Sequence, residues 1–403
     1  MAPTPTIIIA GAGIGGLTAA LALAQAGLRV RVLEQAARLE EAGAGIQLSS
    51  NATRILIGLG LKDRLLPRVV APECIRVCRA ADGRDIARIP VGHSQRYYGA
   101  PYWVIHRGDL HAVLLAAATD HPDITVETDT RVQAFGAHPK GVTVGYLRKT
   151  GTGDATGAAF VGADGLWSMA RACLGEKSPP RPANRTAWRA LLPADDVTPE
   201  FREPIVTLWV GPQAHLVHYP IRAGAAINIV AITTDAWQGT GWSTRSDCAE
   251  LLARFSDRNW AHPARKLLAT PGQWLKWALY DRPPMDRWGR GPATLLGDAA
   301  HPMLPFLAQG AAMAIEDAAV LAHALSRAPG GTASALRFYE SQRRSRTAQV
   351  QAAARANDRI YHLGGPAAAI RDLAMRTVLG GDVLLSRYDW IYRWRPPAEP
   401  VGS

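Results

Sequence analysis

The chain has 403 residues, of which 48% are hydrophobic and 20% are charged. This length and composition indicate a globular protein of two or three domains and exclude a disordered chain, because disorder requires low hydrophobicity. The formal net charge of +11 fits either a solvated basic surface or the attraction of anionic ligands. The densest basic cluster, residues 343–346, has no aromatic residues between its arginines, so we expect no nucleic-acid binding.

The cysteines and the apolar segments predict a cytoplasmic protein that does not interact with membranes. The four cysteines are too few and too scattered for a disulfide framework, and no second pair completes a zinc site with Cys74 and Cys78. We therefore expect reduced thiols and no bound metal. The longest apolar stretch, Leu17 to Ala26, is too short to cross a bilayer, and no secretory signal precedes the first predicted strand at Thr6.

The N-terminal segment has the pattern of a βαβ unit. Residues 6–10 predict an apolar strand, an Ala/Leu-rich helix follows and ends at Gly27, and residues 29–34 alternate as a second strand does. Between strand and helix lies the GxGxxG fingerprint, whose small residues let a pyrophosphate approach the backbone at a helix N-terminus. Glu34, 23 residues after Gly11, is in position to accept the ribose hydroxyls of an adenosine.

The rest of the chain predicts more strands and then helices. Residues 142–149 and 158–161 have strand composition, and Thr150-Gly151-Thr152-Gly153-Asp154 between them predicts a hairpin turn. Alternating segments between residues 188 and 232 predict a sheet-rich second domain. Helices are predicted at 245–255, 311–326 and 333–363, the last as one long helix or two, and Pro396, Pro397 and Pro400 predict a frayed tail.

Two later motifs distinguish FAD from NAD, which the fingerprint alone does not. Gly162-Ala163-Asp164-Gly165 follows the predicted hairpin, and Gly297-Asp298 follows the apolar run at residues 293–296. A strand that ends in Gly-Asp places one carboxylate at the carboxyl edge of a sheet, where α/β folds bind ligands. The hydroxyl-rich ribityl chain of a flavin is a natural partner for Asp298.

In this order and spacing, the three motifs resemble those of the group A flavoprotein hydroxylases, the family of para-hydroxybenzoate and salicylate hydroxylases. The resemblance includes Ile105-His106-Arg107-Gly108-Asp109-Leu110 and covers nearly the whole chain. It implies an α/β fold with a Rossmann-like FAD-binding domain, an interleaved mixed β-sheet domain for the substrate, and C-terminal helices. The corresponding residues are 1–71, 104–178 and 276–330 for the first, 72–103 and 179–275 for the second, and 331–403 for the third.

The resemblance also implies FAD as cofactor, NADH or NADPH and O₂ as co-substrates, a small aromatic substrate, and a monomer or homodimer. Oxygen insertion in the family proceeds through a C4a-hydroperoxide of the reduced flavin. Arg107 and Asp298 are expected to contact the flavin, and Asp164 to serve both flavin and coenzyme binding. The full set of implied cofactor contacts is Gly11, Gly13, Gly15, Gly16, Glu34, Gln35, Gln47, Arg107, Val132, Asp164, Asp298, Gln309, Gly310 and Ala311.

Residues 211–220 and 297–318 are most similar to the group of 3-hydroxybenzoate 6-hydroxylase, salicylate hydroxylase and 6-hydroxynicotinate 3-monooxygenase. In those enzymes the histidine and tyrosine that match His215 and Tyr219 face the substrate ring, and Gln47, Pro305 and Phe306 belong to the same implied substrate site. The 6-hydroxynicotinate branch has histidines where this chain has Gln47 and Phe306. The 3-hydroxybenzoate branch has a glutamine in place of Pro305, so a hydroxybenzoate, a salicylate and a hydroxynicotinate-like substrate all remain open.

His215 has a chemical role on this account. A phenolate attacks electrophilic oxygen far better than a phenol does, and a neutral histidine, with an ordinary pKa of about 6.5, can accept the phenol proton. Because side chains alternate along a strand, His215 and Tyr219 share one face and His218 lies on the other. The alternative for His215 is a structural role, which is what we expect for His218 and His301.

Two other functions fit parts of the pattern: a flavin-dependent oxidase or dehydrogenase on the same fold, and a non-catalytic nucleotide-binding module. The chain has no second GxGxxG, no redox CxxC and no Trp-x-Trp-x-Ile pattern of flavin halogenases. Glu316 and Asp317 are adjacent on a predicted helix and point in different directions, so we expect no acid–base pair there.

Overall fold

The computed structural model describes residues 5–39, 44–235, 237, 243–327, 330–378 and 381–397, which form a mixed α/β fold. The strands, in chain order, are β1 (Thr6–Ala10), β2 (Arg29–Leu33), β3 (Gly45–Leu48), β4 (Ile75–Arg79), β5 (Asp85–Ile89), β6 (Trp103–His106), β7 (Ile124–Glu127), β8 (Arg131–His138), β9 (Gly141–Arg148), β10 (Gly151–Gly157), β11 (Ala159–Gly162), β12 (Arg181–Pro193), β13 (Val206–Gly211), β14 (Ala214–Ile221), β15 (Ala226–Thr234), β16 (Ser243–Asp247), β17 (Gln273–Asp281) and β18 (Ala293–Leu295).

The helices alternate with the early strands and dominate the C-terminal part. They are α1 (Ile14–Gln25), α2 (Ser50–Gly58), α3 (Lys62–Leu65), α4 (Ser94–Tyr98), α5 (Arg107–Thr119), α6 (Met169–Cys173), α7 (Cys248–Leu252), α8 (His262–Ala269), α9 (Gly310–Ser326), α10 (Thr332–Tyr361), α11 (Gly365–Leu373), α12 (Gly381–Ser386) and α13 (Asp389–Tyr392). Short 3₁₀ turns at Gly297–Ala299 and Pro305–Leu307 lie between β18 and α9.

A five-stranded parallel sheet positions the cofactor motifs. Its order is β18-β11-β1-β2-β7, and every neighbouring pair is parallel. The central strand buries Ile7, Ile8 and Ile9 almost completely, as expected where both faces of a parallel sheet are covered. Because parallel strands end at the same edge, the fingerprint loop after β1, Glu34 after β2 and the Gly297-Asp298 loop after β18 all follow carboxyl ends at that edge.

The second large sheet is mixed, has eight strands in the order β16-β17-β12-β15-β14-β13-β4-β5, and differs between its two faces. The outer face buries Trp188 and Leu216 in one cluster with Leu251 of α7 and Leu267 of α8. On the opposite, inner face, Tyr219 packs in a cluster with residues of the C-terminal helices such as Leu385. The register of β14 therefore decides which side chains face the rest of the molecule.

Two predicted elements are wrong. The predicted hairpin turn at residues 150–154 is mostly strand: residues 151–157 form β10, which pairs antiparallel with β9, and the turn is confined to Lys149 and Thr150. The glycine at position 153 serves close packing instead of a turn, because a Cβ there would lie 2.7 Å from the Tyr146 hydroxyl oxygen. In the predicted helix at 245–255, the first residues belong to β16, and α7 begins only after Asp247, whose side chain accepts a hydrogen bond from the Glu250 N–H at 3.0 Å.

Other predictions agree with the structure. The first βαβ unit, the helix before residue 326 and the single long helix α10 have the expected positions. Strand β17 runs to Asp281, past the predicted boundary at residue 275, and the division into domains stays a prediction. The end of the predicted proline-rich tail, from residue 398, lies outside the described residues.

The four cysteines are free thiols. In the described ranges, no helix is both long and apolar enough to cross a membrane. The same residues contain no group of three or more His, Cys, Asp or Glu side chains arranged to hold a metal ion.

A buried charge network joins α10 to α9 and to the Gly297-Asp298 loop. The Arg343 side chain donates to Asp317 and to Glu316, at 2.6 Å in each case. Asp317 in turn accepts from the Gly297 N–H at 3.0 Å and contacts His301 Nε2 at 2.6 Å. Burial alone would raise the pKa of Asp317, but His301 and Arg343 hold it at about 2. The two adjacent carboxylates are therefore structural anchors.

We predict that Arg343→Ala lowers the free energy of unfolding by about 3–5 kcal/mol, because the substitution removes the fully buried cation that Glu316 and Asp317 share and leaves them Arg346 and His301 as partners. Denaturant titration followed by circular dichroism measures this loss. Arg359→Ala, which removes an exposed arginine from the same helix, should change the free energy by less than about 0.5 kcal/mol. Equal effects of the two substitutions would show that the buried network does not anchor α10.

Candidate active site

The fingerprint loop combines close packing with one open position. Gly11 has φ +99°, and a Cβ there would lie 2.5 Å from the carbonyl oxygen of Ala163. A Cβ at Gly16 would lie 2.0 Å from the Gly11 carbonyl oxygen, whereas a Cβ at Gly13 would meet nothing within 4 Å. No side chain caps the N-terminus of α1. The loop thus holds strand and helix together and leaves its Gly13 side open for a phosphate.

Glu34 lies at the carboxyl end of β2 and binds the fingerprint loop. Its Oε2 accepts a hydrogen bond from the Ala12 N–H at 2.7 Å, and its Oε1 accepts from the Ala36 N–H at 2.8 Å. Each carboxylate oxygen keeps a second lone pair, so a ribose hydroxyl can still donate to it. The neighbouring Gln35 is exposed.

Asp298 follows β18 in the chain and is exposed, and no described residue forms a hydrogen bond with its carboxylate. Surrounding protein atoms raise its pKa by burial, while the charges of His301 and Arg107 oppose the shift. An exposed carboxylate whose oxygens accept no hydrogen bond from a described residue can accept hydrogen bonds from ligand hydroxyls.

The N-terminus of α9 faces the same loop. A Cβ at Gly310 would lie 4.0 Å from Asp298 Oδ1. The Gln309 side chain is held within the protein, because its Nε2 donates to Ser49 at 2.9 Å and its Oε1 accepts from Asn51 at 3.2 Å. No side chain caps α9, so the backbone N–H groups of Gly310 and Ala311 remain for a ligand.

Three other predicted cofactor residues have structural partners. Both carboxylate oxygens of Asp164 hold α6, accepting from the Ser168 hydroxyl at 2.5 Å and from the Ala170 N–H at 2.9 Å. Val132 is buried in the core around the parallel sheet. Arg107 begins α5, and its backbone N–H donates to the carbonyl oxygen of residue 44 at 2.8 Å. Their contacts with a cofactor stay predictions, as does that of Gly15, where a Cβ would lie 2.8 Å from Leu296 Cδ2.

His215 is buried at the centre of a ring cluster on the inner face of the mixed sheet. Its Nδ1 lies 2.8 Å from Nε2 of His362, the residue after α10. The rings of Phe306 and Tyr361 each lie 5.5 Å from the His215 ring, edge-on. Burial, together with the nearby His362, lowers the pKa of His215 well below its ordinary value. His215 is therefore neutral at neutral pH, and its Nε2 is the nitrogen left for a ligand.

Tyr219 occupies the other end of the same strand face, about 13 Å from His215 along β14. Strand β3 crosses close to it, since a Cβ at Gly45 would lie 2.6 Å from Tyr219 Cε2. The Gly45 N–H donates to Asn228 Oδ1 at 2.6 Å and so fixes this crossing. Burial raises the pKa of Tyr219, so its hydroxyl stays protonated and can donate a hydrogen bond. The strand face between the two residues is long enough for one aromatic ring with a hydrogen bond at each end.

Arg189 brings a positive charge to this inner face. Arg189 pairs with Val230 of β15, and Val230 pairs with Val217 of β14. Residues paired across neighbouring strands point to the same face of a sheet, so Arg189 lies on the face of Val217 and Tyr219. Its guanidinium lies 4.4 Å from the Trp277 ring centroid, and its Nε is buried without a hydrogen-bond partner. Burial, together with the charge of Arg107, lowers the pKa of Arg189 to about 10, so the side chain remains charged at neutral pH.

The other predicted substrate residues differ in position. Phe306 contacts His215 directly, as its ring geometry shows, whereas Pro305 is exposed. The side-chain oxygen of Gln47 accepts a hydrogen bond from the Tyr102 hydroxyl at 2.6 Å. The structure therefore brings His215 and Phe306 together, places Tyr219 further along the same face, and pairs Gln47 with Tyr102. Substrate contacts for all five stay predictions.

Two histidines have structural surroundings. His218 lies on the outer face, 5.1 Å from the Phe201 ring, and neither of its buried ring nitrogens has a hydrogen-bond partner in the part of the chain that the structure describes. Burial lowers the pKa of His218 to about 3. His301 packs against Trp288 and contacts Asp317. These contacts agree with the expectation of structural roles.

Sequence reasoning missed the residues that surround His215 from α10, namely Asp358, Tyr361 and His362. His362 is 147 residues from His215, so no local pattern connects them. The available signal was an Asp–His pair with i,i+4 spacing at the end of a long helix, which places both side chains on one face. Arg189 was also not predicted as a site residue, and no local sequence pattern comparable to the Asp–His pair marks it.

Comparison with known proteins identifies the family. The family model described as "FAD binding domain" matches residues 4–354. The chain belongs to this family. It is 37% identical over 398 residues to 3-hydroxybenzoate 6-hydroxylase of Klebsiella oxytoca, covering 98% of both chains. It is 39% identical over 403 residues to 3-amino-4-hydroxybenzoate 2-monooxygenase PtmB3 of Streptomyces platensis, covering 99% of this chain and 98% of the relative.

Solved structures agree on the fold. The structure of Klebsiella pneumoniae HpxO complexed with FAD and uric acid superposes with a TM-score of 0.82 at 26% identity, covering 95% of each chain. A salicylate hydroxylase substrate complex has a TM-score of 0.81 at 22% identity, covering 98% of this chain and 99% of the other. The predicted α/β fold with an FAD-binding domain and a mixed sheet is confirmed, and these relatives favour a hydroxylase over the oxidase and binding-module alternatives.

The residues present fit an FAD. The open side of Gly13 and the uncapped N-terminus of α1 suit its pyrophosphate, and Glu34 suits its adenosine ribose. The partnerless carboxylate of Asp298 suits its ribityl hydroxyls, and the N–H groups at the start of α9 suit its electron-rich ring edge.

We predict that Asp298→Ala weakens FAD binding about 10- to 100-fold, because charge-assisted hydrogen bonds to hydroxyls contribute about 1.5–3 kcal/mol. Fluorescence titration of the apoprotein with FAD measures the dissociation constant. Asp286→Ala removes an exposed carboxylate from the segment before β18 and should leave the constant unchanged. An Asp298→Ala protein that binds FAD like the wild type would contradict the assignment of the ribityl site.

Proposed function

We propose that this protein is an FAD-dependent monooxygenase that uses NADH or NADPH and O₂ to hydroxylate a phenolic aromatic acid or a related hydroxylated heteroaromatic acid. The relatives described above, named for the hydroxylation of hydroxybenzoates and aminohydroxybenzoates, support the reaction class. The observation that carries the proposal for this chain is the buried, neutral His215 on one sheet face with the protonated hydroxyl of Tyr219.

His215 would accept the phenol proton. Its Nδ1 is engaged with His362, so Nε2 faces the ligand and can remove a proton from a phenolic hydroxyl. The resulting phenolate pushes electron density into the ring, which makes the ring carbon a better nucleophile. Tyr219 would hold the opposite end of the ligand by donating a hydrogen bond from its hydroxyl.

An acidic substrate suits the charge of the site. Arg189 provides a buried cation on the same face as Tyr219, and no described residue forms a hydrogen bond with its Nε. The ring itself would pack against apolar side chains, since Val217 lies between His215 and Tyr219 on the strand and Phe306 borders the histidine. These apolar groups also exclude water from the reacting ring.

FAD, when bound, would supply the redox chemistry that connects the nicotinamide coenzyme with O₂. The protein's own groups would hold its diphosphate at α1, its ribityl chain at Asp298 and its ring edge at the start of α9. The one reaction step assigned to a side chain is therefore the proton transfer at His215.

A substrate panel tests the proposed class. Hydroxybenzoates, salicylate and hydroxypyridine carboxylates are screened for stimulated oxidation of NADH and NADPH, with product analysis in labelled O₂. Transfer of one labelled oxygen atom to an aromatic acid is expected. Coenzyme oxidation that releases only hydrogen peroxide with every member of the panel would contradict the proposal.

We predict that His215→Ala slows oxygen insertion about 10²–10⁴-fold, the usual effect of removing a general base. Flavin reduction by the coenzyme needs no phenolate and should change much less. Stopped-flow absorbance follows the two half-reactions separately. Raising the pH towards the pKa of the substrate phenol should partly restore hydroxylation, because the solvent then supplies the phenolate.

Tyr219→Phe is the comparison variant, and it should slow oxygen insertion less because it keeps the base and removes one hydrogen bond. A His215→Ala enzyme that hydroxylates at the wild-type rate, or gains nothing at high pH, would return His215 to a structural role.

A further inference from the structure

His215 alone is a weak acceptor for a phenol proton. A phenol has a pKa of about 10, whereas burial holds the pKa of His215 well below that of free histidine. Proton transfer to it is therefore uphill unless another group stabilises the charged imidazole. A buried general base of this kind needs a neighbouring negative charge.

A continuous line of polar contacts leads from His215 to such a charge. Nδ1 of His215 lies 2.8 Å from Nε2 of His362. Nδ1 of His362 lies 3.0 Å from Oδ1 of Asp358, at ion-pair distance but at an angle outside hydrogen-bond geometry. Asp358 also accepts a hydrogen bond from Nε of Arg185 at 2.8 Å. The side chains of His362 and Asp358 are 5% and 17% exposed, so the line runs from the enclosed His215 towards solvent.

The direction of these contacts fixes where each proton resides. An ionised carboxylate only accepts, so Asp358 holds the proton of His362 on Nδ1. Nε2 of His362 then carries a lone pair and accepts from Nδ1–H of His215. That leaves Nε2 of His215 without a proton and directed to the ligand, as a base requires.

We propose that His362 and Asp358 are positioning residues that set the tautomer of His215 and carry the phenol proton from it towards solvent. This inference rests on the proposed function. It adds Asp358 of α10 and His362, the residue after α10, to a site that the sequence suggested from β3, β14 and the loop before α9.

The proton balance is complete without another reagent. The phenol O–H bond breaks and an N–H bond forms at Nε2 of His215, while its Nδ1 proton passes to Nε2 of His362. The Nδ1 proton of His362 passes to solvent beside Asp358. Burial alone would raise the pKa of Asp358, but His362 and Arg185 lower it, so the carboxylate does not retain the proton. When the hydroxylated ring regains its phenol, the same chain returns a proton from solvent and resets both histidines.

The charged and titratable groups around the two histidines come from two elements. Arg185 of β12 faces Asp358, and α10 contributes Asp358 and Tyr361, with His362 directly after its last residue. Asp358 raises the pKa of His215, against the larger effects of burial and of His362. Removing the Asp358 charge therefore makes His215 a still weaker base.

Asp358→Asn is expected to slow oxygen insertion about 10- to 100-fold, with unchanged flavin reduction and unchanged substrate affinity in a flavin absorbance titration. The rate should recover partly as the pH rises towards the phenol pKa. Asp358→Glu keeps the charge and should retain most of the rate. In His362→Gln, the new amide oxygen can accept a hydrogen bond from Nδ1–H of His215, but the amide cannot pass a proton on. This variant should therefore slow oxygen insertion as Asp358→Asn does.

Asp281→Asn is the matched control. Asp281 of β17 forms an ion pair with Arg355 of α10 at 2.7 Å, just as Asp358 of α10 forms one with Arg185 of β12 at 2.8 Å. Among the described contacts, Asp281 has none with His215 or His362. Its removal tests whether α10 needs the ion pair for its position, and we expect oxygen insertion within about twofold of the wild type. An equal loss in Asp281→Asn and Asp358→Asn would overturn the relay in favour of helix anchoring.

Nitrogen-15 NMR of histidine-labelled holoenzyme gives a readout that does not depend on turnover. The wild type should show His215 and His362 protonated at Nδ1, and Asp358→Asn should show Nε2-protonated imidazole. An unchanged tautomer with an unchanged rate overturns the relay. If His215→Ala slows hydroxylation and Asp358→Asn does not, the relay is contradicted and the proposed function stands. A fully active His215→Ala enzyme contradicts the proposed function itself.

Discussion

Arg343 is the residue on which the arrangement of the C-terminal half depends. Its guanidinium lies between two fully buried carboxylates, Glu316 and Asp317, and is the cation that the two share, while Arg346 also pairs with Glu316 and His301 also contacts Asp317. Through Asp317 the same network holds the Gly297-Asp298 loop, and through α10 it reaches Asp358 about 22 Å further along the helix. One buried cation thus sets the position of a cofactor loop and of the helix end that contacts His215.

Burial acts differently on the two histidines of β14. His215 and His218 are both almost fully buried, and burial lowers the pKa of each. His218 points outward to Phe201 and has no polar partner, so it remains a neutral packing group. His215 points inward to His362, so a polar path leads away from it. A shift of one residue in the register of β14 would turn His218 to the inner face and His215 to the outer face.

Local patterns predicted the parts of the molecule that depend on local geometry. The fingerprint, Glu34 and the Gly297-Asp298 turn lie at the ends of parallel strands, where spacing along the chain determines spacing in the fold. The composition of residues 150–154 predicts a turn, but residues 151–154 belong to strand β10, in which Gly153 packs against Tyr146. The contact of His362 with His215 depends on where a thirty-residue helix ends, which no local pattern encodes.

The motifs specify the cofactor more closely than the substrate, because the cofactor residues lie in local motifs at strand ends and the proposed substrate residues do not. The proposed substrate side is assembled from β3, β14, the loop before α9 and the end of α10, each reached through long-range packing. Phe306, where the 6-hydroxynicotinate branch has a histidine, packs edge-on against His215 and keeps its surroundings apolar. A second imidazole nevertheless reaches His215, from the end of α10. Differences between branches at such positions change the surroundings of the base directly, so substrate choice can diverge while the cofactor motifs stay unchanged.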